Sequence, residues 1–557
     1  MKIGLYLAYP PSARKNSLKQ EGLGRYLSYL TKALLNNGHT ITIACPKWSI
    51  SSINELLEEA DIDKHDIKFL LPKSEPIFYC LYSKLVNKKP KNARVKEKGL
   101  TLAAFKFVDK IIIGILSTKN VLIFSFFMIL MLIVGLVLLP IVLILGILLG
   151  VALGINIITR KILRKTVPHY SMEYVLNKLI AKSRRFAKIY GYFYDTYNAD
   201  ILKEKMRFNS AKDIIRRIKY LADTPDLWYC PMAFWPEFNK IDAIKILCIP
   251  DLVTTEFPIN FSSGHNSRVT DAIRETIDGA DYFITYCDYI KKSLAMGKFG
   301  KKSDDVISIP HAVNNTLDFI NIKKSFNRKE FTYDVNEYFA RDIVLRSIVQ
   351  NANYMQDYLQ TGYSFNDVRY IFYSSQVRSN KNILNLVKAY EYLLRVKFVP
   401  IKLFLTCNLE ADQALKKYIY DNRLQYDVLC FYSVNNQQLA ALYKCAELIV
   451  NPTLYEGGFP FTFGEGMSVG TPSIMSNIPQ ITEVTQGFET NNYLFDPYDY
   501  VDIADKIVYG LENRDELIKK QMPLYEKVAA RTWEDVGKEY VQAFEYFINK
   551  DSKNKVK

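Results

Sequence analysis

Residues 451–472, NPTLYEGGFPFTFGEGMSVGTP, decide the fold that this sequence predicts. An apolar run at 446–450 precedes them and is typical of a buried parallel strand, and residues 463–469 resume as a short helix that Gly470 and Pro472 bring to an end. The order strand, glycine loop, helix belongs to open α/β sheets. In such sheets the loop lies at the carboxyl edge of the strands, where nucleotides bind and where the N–H groups of a helix start favour phosphate.

Two carboxylates, Glu456 and Glu465, flank the glycines of this loop. Because glycine has no Cβ, Gly457 and Gly458 let a ligand come close to the backbone, and Phe459 follows them directly. We interpret the stretch as a ligand-binding loop, with a pair of solvated loop acids as the alternative.

The arrangement resembles the family-4 retaining glycosyltransferases, whose hallmark is a Glu, seven residues, a second Glu, a helix of small residues and Gly-Thr-Pro. Here eight residues separate Glu456 from Glu465, one more than in the family pattern. The resemblance implies that Glu465 accepts hydrogen bonds from the ribose of a donor nucleotide and that Glu456 holds hydroxyls of the transferred sugar. It also assigns Gly457, Gly458 and Phe459 to the donor site, and it implies a GT-B architecture, in which two Rossmann-like α/β domains face a cleft.

The first α/β domain is predicted from two segments, 1–72 and 224–325. It opens with a strand, a turn at Gly22 and Gly24, and a helix, an order in which the turn can approach a pyrophosphate in the donor site. A plain turn is the alternative. Asp251 and His265 follow later strands and could reach an acceptor, although ordinary loop residues also occupy such places.

The second α/β domain, 326–532, follows residues 310–314, PHAVN, which resemble the family's connection between its domains. Arg378 and Lys381 lie between its first strand and first helix, where their charges would neutralise a pyrophosphate leaving group. A solvated helix start is the alternative. The family places its arginine where this chain has Gln376, so Arg378 is a shifted candidate. The last segment, 533–557, is expected to be a helix that crosses back onto the first domain, with a tail.

Length and charge limit the classes of function. A chain of 557 residues accommodates two or three domains, and a net charge of +15 suggests an anionic partner: nucleic acid, a phosphate-bearing substrate or acidic lipid. Nucleic acid is not expected, because no nucleic-acid-binding signature accompanies the basic residues. Cys45, Cys248, Cys430 and Cys445 lie in or beside apolar runs without a C-x-x-C pair, so we expect buried thiols in a reducing compartment. Residues 2–7 read as a strand and not as a signal peptide, which predicts that the globular parts are cytoplasmic.

Residues 121–158 contain no charged side chain. As one helix, these 38 residues would extend about 57 Å, against about 30 Å of bilayer hydrocarbon. Gly135 and Pro140 interrupt the run and leave two arms of about 18 residues, each long enough to cross. We therefore predict a membrane-inserted helical hairpin within a helical insert, 73–223. Lysines and arginines flank both of its ends, so both ends should face the cytoplasm.

The segments beside the hairpin, at 100–116 and 174–221, mix basic and aromatic residues. This mixture suits an anionic membrane surface, with an ordinary basic helical pair as the alternative. Gly146, Gly150 and Gly154 lie four residues apart. They would let the second arm pack on a partner helix in the membrane, or they are simply tolerated in an apolar helix.

The sequence thus predicts a membrane-associated, sugar-nucleotide-dependent hexosyltransferase that retains anomeric configuration, with Glu456, Arg378 and Lys381 as candidate catalytic residues. We expect neither a metal nor a cofactor, because the D-x-D of Asp61 and Asp63 lies in a polar helical stretch without plausible further ligands. The insert suggests a lipid-linked glycan acceptor of surface polysaccharide assembly, at the cytoplasmic face of a bacterial inner membrane. The alternative, motivated by the shifted Glu spacing and by Gln376, is a non-catalytic membrane scaffold that keeps the GT-B fold.

Topology provides the first test. Cysteines introduced at Lys119 and Arg160 of a cysteine-depleted variant should both react with an impermeant maleimide only from the cytoplasmic side, because strands of one sheet precede and follow the hairpin. Labelling of either position from outside would exclude the hairpin. Release of the protein by alkaline carbonate would exclude insertion.

Overall fold

The computed structural model describes residues 1–11, 22–73, 125–126, 129, 199–257, 264–322, 335–351 and 368–556. The predicted hairpin, 121–158, lies outside these ranges except for Ser125, Phe126 and Ile129, which are helical and exposed. Its glycines and most of its flanking segments lie outside them as well. Within the described ranges, no helix combines the length and the apolar character that a membrane crossing needs. The hairpin therefore stays a prediction.

The first α/β domain is built on a seven-stranded parallel sheet. Its strands are β1 (Lys2–Tyr6), β2 (Thr40–Ala44), β3 (Ile67–Leu70), β4 (Leu227–Cys230), β5 (Lys245–Ile249), β6 (Tyr282–Thr285) and β7 (Val306–Ser308). Their order is β3-β2-β1-β4-β5-β6-β7, so the strand order reverses between β1 and β4. The helices around this sheet are α1 (Gly22–Asn36), α2 (Ile50–Glu59), α3 (Ala199–Lys219), α4 (Val253–Glu256) and α5 (Gly264–Asp278), with a π-helical segment at Ile290–Lys298.

The second α/β domain contains a six-stranded parallel sheet. Its strands are β8 (Tyr370–Tyr373), β9 (Lys402–Leu405), β10 (Val428–Cys430), β11 (Leu448–Asn451), β12 (Ser473–Ser476) and β13 (Leu494–Phe495). The order β10-β9-β8-β11-β12-β13 reverses between β8 and β11. Its helices are α6 (Val335–Asn351), α7 (Ile383–Arg395), α8 (Gln413–Asp421), α9 (Asn436–Lys444), α10 (Phe461–Met467), α11 (Pro479–Thr485), α12 (Tyr500–Glu512) and α13 (Arg514–Ala529). Because helices cover these parallel strands, β8 and β11 are buried along their whole length.

Helix α3 lies inside the predicted membrane insert but packs on the first domain. Its Arg207 forms a buried ion pair with Glu237, 2.9 Å between Nη1 and Oε2, and its Asp213 accepts a hydrogen bond of 3.0 Å from the backbone N–H of Lys73. Met206 and Ile214 are fully buried. The described part of this helix thus packs on protein through one face, while Arg216, Arg217 and Lys219 lie exposed. The membrane-surface role of residues 174–221 stays a prediction.

The last helix, α14 (Trp533–Val556), lies against the first domain. Phe547 stacks on Tyr282 with 4.6 Å between ring centroids, and the Tyr540 hydroxyl contacts those of Tyr26 and Tyr229. The helix that follows the second domain therefore adds Tyr540, Phe544 and Phe547 to the core of the first.

The centre of the first sheet leaves no room beside Gly4. A Cβ at this buried position of β1 would lie 2.5 Å from the ring of Trp228 on the neighbouring β4. Gly4→Ala should lower the free energy of unfolding by about 1–3 kcal/mol, because the indole has to shift within a close-packed core. Urea unfolding measures the effect.

Gly22→Ala is the matched control, since a Cβ at Gly22 meets nothing within 4 Å. Its stability should stay within about 0.5 kcal/mol of wild type. Equal stability of the Gly4 variant and this control would contradict the packing that the structure gives for β1 and β4.

Candidate active site

The predicted donor residues lie at the point where the strand order of the second sheet reverses. Residues 374–382 follow β8 and residues 452–460 follow β11, its neighbour in the sheet. In open α/β sheets such a reversal leaves a crevice beyond the carboxyl ends of the strands. Loops of the first domain close on this crevice. The backbones meet so tightly that a Cβ at Gly457 would lie 2.4 Å from the carbonyl oxygen of Pro250.

Two asparagines join the loops after β8 and β11. Asn380 donates from its side chain to the Tyr455 carbonyl at 2.8 Å. Asn382, whose φ of 54° puts it in the left-handed region, donates to the carbonyls of Pro452 at 3.0 Å and Pro497 at 2.7 Å. Asparagine tolerates this conformation better than most residues. These bonds fix Lys381, which lies between the two asparagines, beside the loop that carries Glu456.

Lys381 and Glu456 form an ion pair, with 2.5 Å between Nζ and Oε1. Their side chains are only 21% and 16% exposed, so the pair is shielded from bulk water. Arg378 is exposed and donates to the side chain of Gln376 at 3.2 Å. Gln376, which occupies the position of the family's arginine, thus accepts a hydrogen bond from Arg378, the shifted candidate.

Asp251 faces these charges from the first domain. Burial raises the pKa of its carboxyl, and the positive charges of Arg378 and Lys381 oppose that rise. The structure therefore brings Asp251, Arg378, Lys381 and Glu456 to one place, although 205 residues separate Asp251 from Glu456.

Glu465 is placed differently from the expectation of a carboxylate open to a ribose. It is 2% exposed, and three side chains already donate to it. Its Oε1 accepts from Nη1 of Arg25 at 2.9 Å and from Nδ2 of Asn314 at 3.2 Å, and its Oε2 accepts from the Tyr443 hydroxyl at 2.9 Å. Arg25 and Asn314 belong to the first domain and its exit. A carboxylate this deeply buried requires such donors, because an unpaired charge in the protein interior is strongly unfavourable.

His311 also lies at the junction of the two domains, although the sequence does not single it out as functional. Its ring stacks on Phe461 with 3.9 Å between centroids, and it meets the edge of Tyr286 at 6.0 Å. Its Nε2 lies 3.5 Å from the place where a Cβ at Gly458 would stand. Burial lowers the pKa of His311 to about 4, with Glu456 opposing the shift, so the imidazole is neutral at physiological pH.

Some of these residues had a visible signal in the sequence. Arg25 directly follows the Gly22 and Gly24 turn, and His311 and Asn314 belong to the PHAVN segment that resembles a domain connection. Tyr443 had none, because a tyrosine on the apolar face of a helix reads as a core residue.

The remaining predicted residues have ordinary surroundings. Gly22 begins α1 and Gly24 is buried within it, while Phe459 contacts Phe463 with 5.3 Å between rings. His265 lies in the first turn of α5, and its side chain is outside the described part of the structure. None of the four residues makes a described contact with Lys381 or Glu456.

Two further expectations concern metal ligands and thiols. Asp63 does not lie in a helix but caps a turn, accepting from the backbone N–H of His65 at 2.9 Å. Over the ranges that the structure describes, no three His, Cys, Asp or Glu side chains converge to hold a metal ion. Cys45, Cys248 and Cys430 are buried free thiols, and Cys445 is half-buried.

An open groove of about 910 Å³ runs between the two domains beside this junction. Its walls combine amide, hydroxyl and aromatic side chains, among them Tyr289, Asn477, Gln486 and Phe488. Glu483 crosses between the walls and accepts from the backbone N–H groups of Asp288 at 2.9 Å and Tyr289 at 2.8 Å. The groove thus offers a mixed polar and apolar surface with contributions from both domains.

Comparison with solved structures defines the class of fold. Anabaena HepE in complex with UDP and glucose aligns over 98% of this chain and 99% of that one, with 10% identity and a TM-score of 0.51. The sucrose-phosphate synthase of Thermosynechococcus elongatus aligns over 98% of both chains, with 13% identity and a TM-score of 0.51. The chain therefore has two parallel-sheet α/β domains like those of GT-B glycosyltransferases, which confirms this part of the predicted fold class; the membrane-associated insert stays a prediction.

Sequence comparison then identifies the second domain. Residues 360–528 match the family of glycosyl transferases group 1, and this range contains Arg378, Lys381, Glu456 and Glu465. An uncharacterized glycosyltransferase of Methanocaldococcus jannaschii is 25% identical over 182 residues, which are 32% of this chain and 45% of that protein. The match thus spans less than half the length of this relative. Arg25, Asp251 and His311 lie outside the matched family range.

The depressed pKa of His311 predicts a pH dependence of stability. The imidazole takes up a proton near pH 4 in the folded chain and near about pH 6.5 when unfolded. As pH falls through this window, the unfolded chain binds the proton first, so stability is lost. Between pH 7 and pH 5 this group alone should lower the free energy of unfolding by about 1–2 kcal/mol.

His311→Phe keeps a ring on Phe461 but has no titrating group. The difference in unfolding free energy between wild type and this variant, measured in urea at both pH values, should change by that amount in favour of the variant at pH 5. A difference independent of pH would contradict the lowered pKa of the His311 imidazole.

Proposed function

We propose that this chain is a membrane-associated glycosyltransferase that transfers a hexose from a nucleotide sugar, with retention, to a lipid-linked glycan. One observation carries the proposal: Lys381, Arg378, Glu456 and Asp251 converge at the switch point of a sheet whose domain matches the glycosyl transferases group 1. Two cations beside two carboxylates in a crevice between the domains suit a substrate that has both a diphosphate and sugar hydroxyls.

In the proposed reaction, an acceptor hydroxyl attacks the anomeric carbon on the face from which the nucleoside diphosphate departs. The bond from that carbon to the diphosphate oxygen breaks, and the proton of the hydroxyl passes to this oxygen. Lys381 and Arg378 stabilise the charge that develops on the departing diphosphate, which needs no metal ion. The Lys381 ammonium group has three N–H donors, so it can bind a phosphate oxygen while it remains near Glu456. Glu456 then accepts hydrogen bonds from hydroxyls of the transferred sugar.

The acceptor would enter from the first domain and the groove. Asp251 lies on that side of Glu456, where its carboxyl group can form a hydrogen bond with an acceptor hydroxyl. The groove's amides and aromatic rings suit the hydroxyls and apolar faces of a glycan. The charge-free run at 121–158 supports a lipid-linked acceptor of surface polysaccharide assembly, at the cytoplasmic face of a bacterial inner membrane.

A non-catalytic scaffold is the second candidate, and one observation favours it. Protein cations already bind both predicted donor carboxylates: Lys381 holds Glu456 and Arg25 holds Glu465. A scaffold could keep these pairs permanently, whereas an enzyme has to open or share them during each turnover.

Donor turnover separates the two candidates. Purified full-length protein in detergent is given UDP-, GDP-, ADP- and dTDP-hexoses, and release of the nucleoside diphosphate is measured with and without a membrane lipid extract. We expect one nucleotide sugar to be consumed faster when the extract is present, with radiolabelled sugar moving into the lipid fraction. Proton NMR of the product then reports its anomeric configuration. No turnover of any donor would favour the scaffold.

The phosphate side can be tested by substitution. Lys381→Ala should lower kcat by about 10²–10³-fold, because one preorganised cation is lost from the transition state. The KM for the donor should rise less than kcat falls, since the charge on the diphosphate develops during the reaction. Arg378→Ala should have a smaller effect, as this side chain is exposed.

Lys417→Ala provides the matched control, because Lys417 pairs with Asp421 on the surface of the same domain. It should turn over the donor at the wild-type rate. Full activity in the Lys381→Ala, Arg378→Ala double variant would exclude the leaving-group role of these cations.

A further inference from the structure

The Arg25–Glu465 ion pair joins the two domains at the candidate donor site. Arg25 lies in the first turns of α1, which follows β1 of the first sheet, and Glu465 lies in α10 of the second domain, 440 residues later. The contact measures 2.9 Å between Nη1 and Oε1. The side chain of Arg25 is 27% exposed and that of Glu465 only 2%. The arginine therefore reaches from the cleft edge to a carboxylate in the interior.

Arg25 supplies the positive charge that faces the Glu465 carboxylate. The negative charge of Glu465 raises the pKa of Arg25, more than any other influence on the guanidinium. Asn314 and Tyr443 also donate to the carboxylate, but both are neutral in this setting, and burial together with Glu465 raises the pKa of Tyr443 further. Among the described side chains that donate to Glu465, Arg25 is thus the one that carries a positive charge.

The hydrogen bonds to Glu465 leave few of its lone pairs available to accept a bond from a ligand. A carboxylate has about four lone-pair sites. The contacts of Arg25, Asn314 and Tyr443 use three of them, two on Oε1 and one on Oε2. While the domains keep this arrangement, the ligand meets a carboxylate whose rotation is fixed from across the cleft.

We propose that Arg25 is a positioning residue for the nucleotide: by holding Glu465 from the other domain, it makes recognition of a ribonucleotide depend on closure of the two domains. The inference rests on the proposed function and on the ribose-binding role that the family resemblance implies for Glu465. The ligand expected at Glu465 is a ribonucleoside diphosphate. Glu465 should distinguish it from the 2′,3′-dideoxy form only when Arg25 holds the carboxylate. With the domains apart, Glu465 keeps Tyr443 but loses its counter-charge, and its orientation is no longer fixed.

The test compares ribo- and 2′,3′-dideoxyribonucleoside diphosphates. Affinities of the full-length protein for UDP, GDP and ADP and for their dideoxy forms are measured by calorimetry. A hydrogen bond from a ribose hydroxyl to a charged acceptor should make the ribo form bind about 10- to 150-fold more tightly. In Arg25→Gln this ratio should fall towards one, while affinity for the dideoxy form changes little. A purely structural role would weaken both forms together.

Three variants complete the design. Glu465→Gln should lose the same ratio, and the Arg25→Gln, Glu465→Gln double variant should lose no more than either single one, because the two residues act as a unit. Arg25→Lys should keep a larger ratio of ribo to dideoxy affinity than Arg25→Gln, because it keeps the positive charge. Lys550→Gln is the matched control: it removes a cation from another ion pair, with Asp305 at 2.9 Å, and should keep both the affinities and the ratio.

The outcomes are distinct. The inference is overturned if Arg25→Gln keeps the wild-type ratio of ribo to dideoxy affinity while thermal unfolding shows that the variant is folded. A ratio near one in the wild type overturns it as well, because Glu465 then reads no ribose hydroxyl. Failure of the wild type to bind any nucleoside diphosphate instead overturns the proposed function on which the inference rests.

Discussion

A carboxylate that is buried between two domains needs a counter-charge, and at Glu465 that charge comes from the opposite domain. Arg25 reaches it from α1, and Asn314 adds a neutral donor from the segment that leaves the first sheet. The Arg25–Glu465 pair is therefore one of the contacts that set the position of the second domain relative to the first. The Lys381–Glu456 pair differs in kind, because both partners belong to the second domain and can persist whatever the first domain does. The candidate site thus contains one ion pair that depends on domain closure and one that does not.

Much of the fold follows from local patterns. Strands β5, β8 and β11 are short apolar runs with polar exits, and the strand predicted at 446–450 and the helix predicted at 463–469 correspond to β11 and α10. The signals for such elements lie within a few residues of each other. Strand β3 escapes prediction because it has only four residues, one of them an exposed lysine. Helix α13 escapes because Pro523 lies inside it and few of its side chains are buried. The packing of α3 on the first domain also escapes prediction, as composition alone does not tell whether a neighbouring domain covers an apolar face.

The candidate site is predictable to a smaller extent. The glycine loop and its acids indicate Glu456 and Lys381 as members of one site, and the structure pairs them across 75 residues of sequence. No spacing rule, however, connects Arg25 with Glu465 or His311 with Phe461, because those contacts depend on how two separate sheets meet. Whether a ribose reaches Glu465 stays a prediction. What the structure adds is that this carboxylate is bonded before any ligand arrives, a property of the assembled cleft and not of the motif.

The return of α14 to the first domain has a consequence for how the chain folds during synthesis. Tyr540, Phe544 and Phe547 are fully buried there, and Gly537 lets the helix approach α1 so closely that a Cβ would lie 2.7 Å from that of Ala33. Yet roughly 230 residues separate the end of β7 from Tyr540. At about 5–20 residues per second, a ribosome needs on the order of 10 to 50 s to make them. Throughout this interval the nascent first domain exposes the aromatic surface of Tyr26 and Tyr229, so it remains open to chaperones and to aggregation until the carboxyl-terminal helix emerges and completes its core.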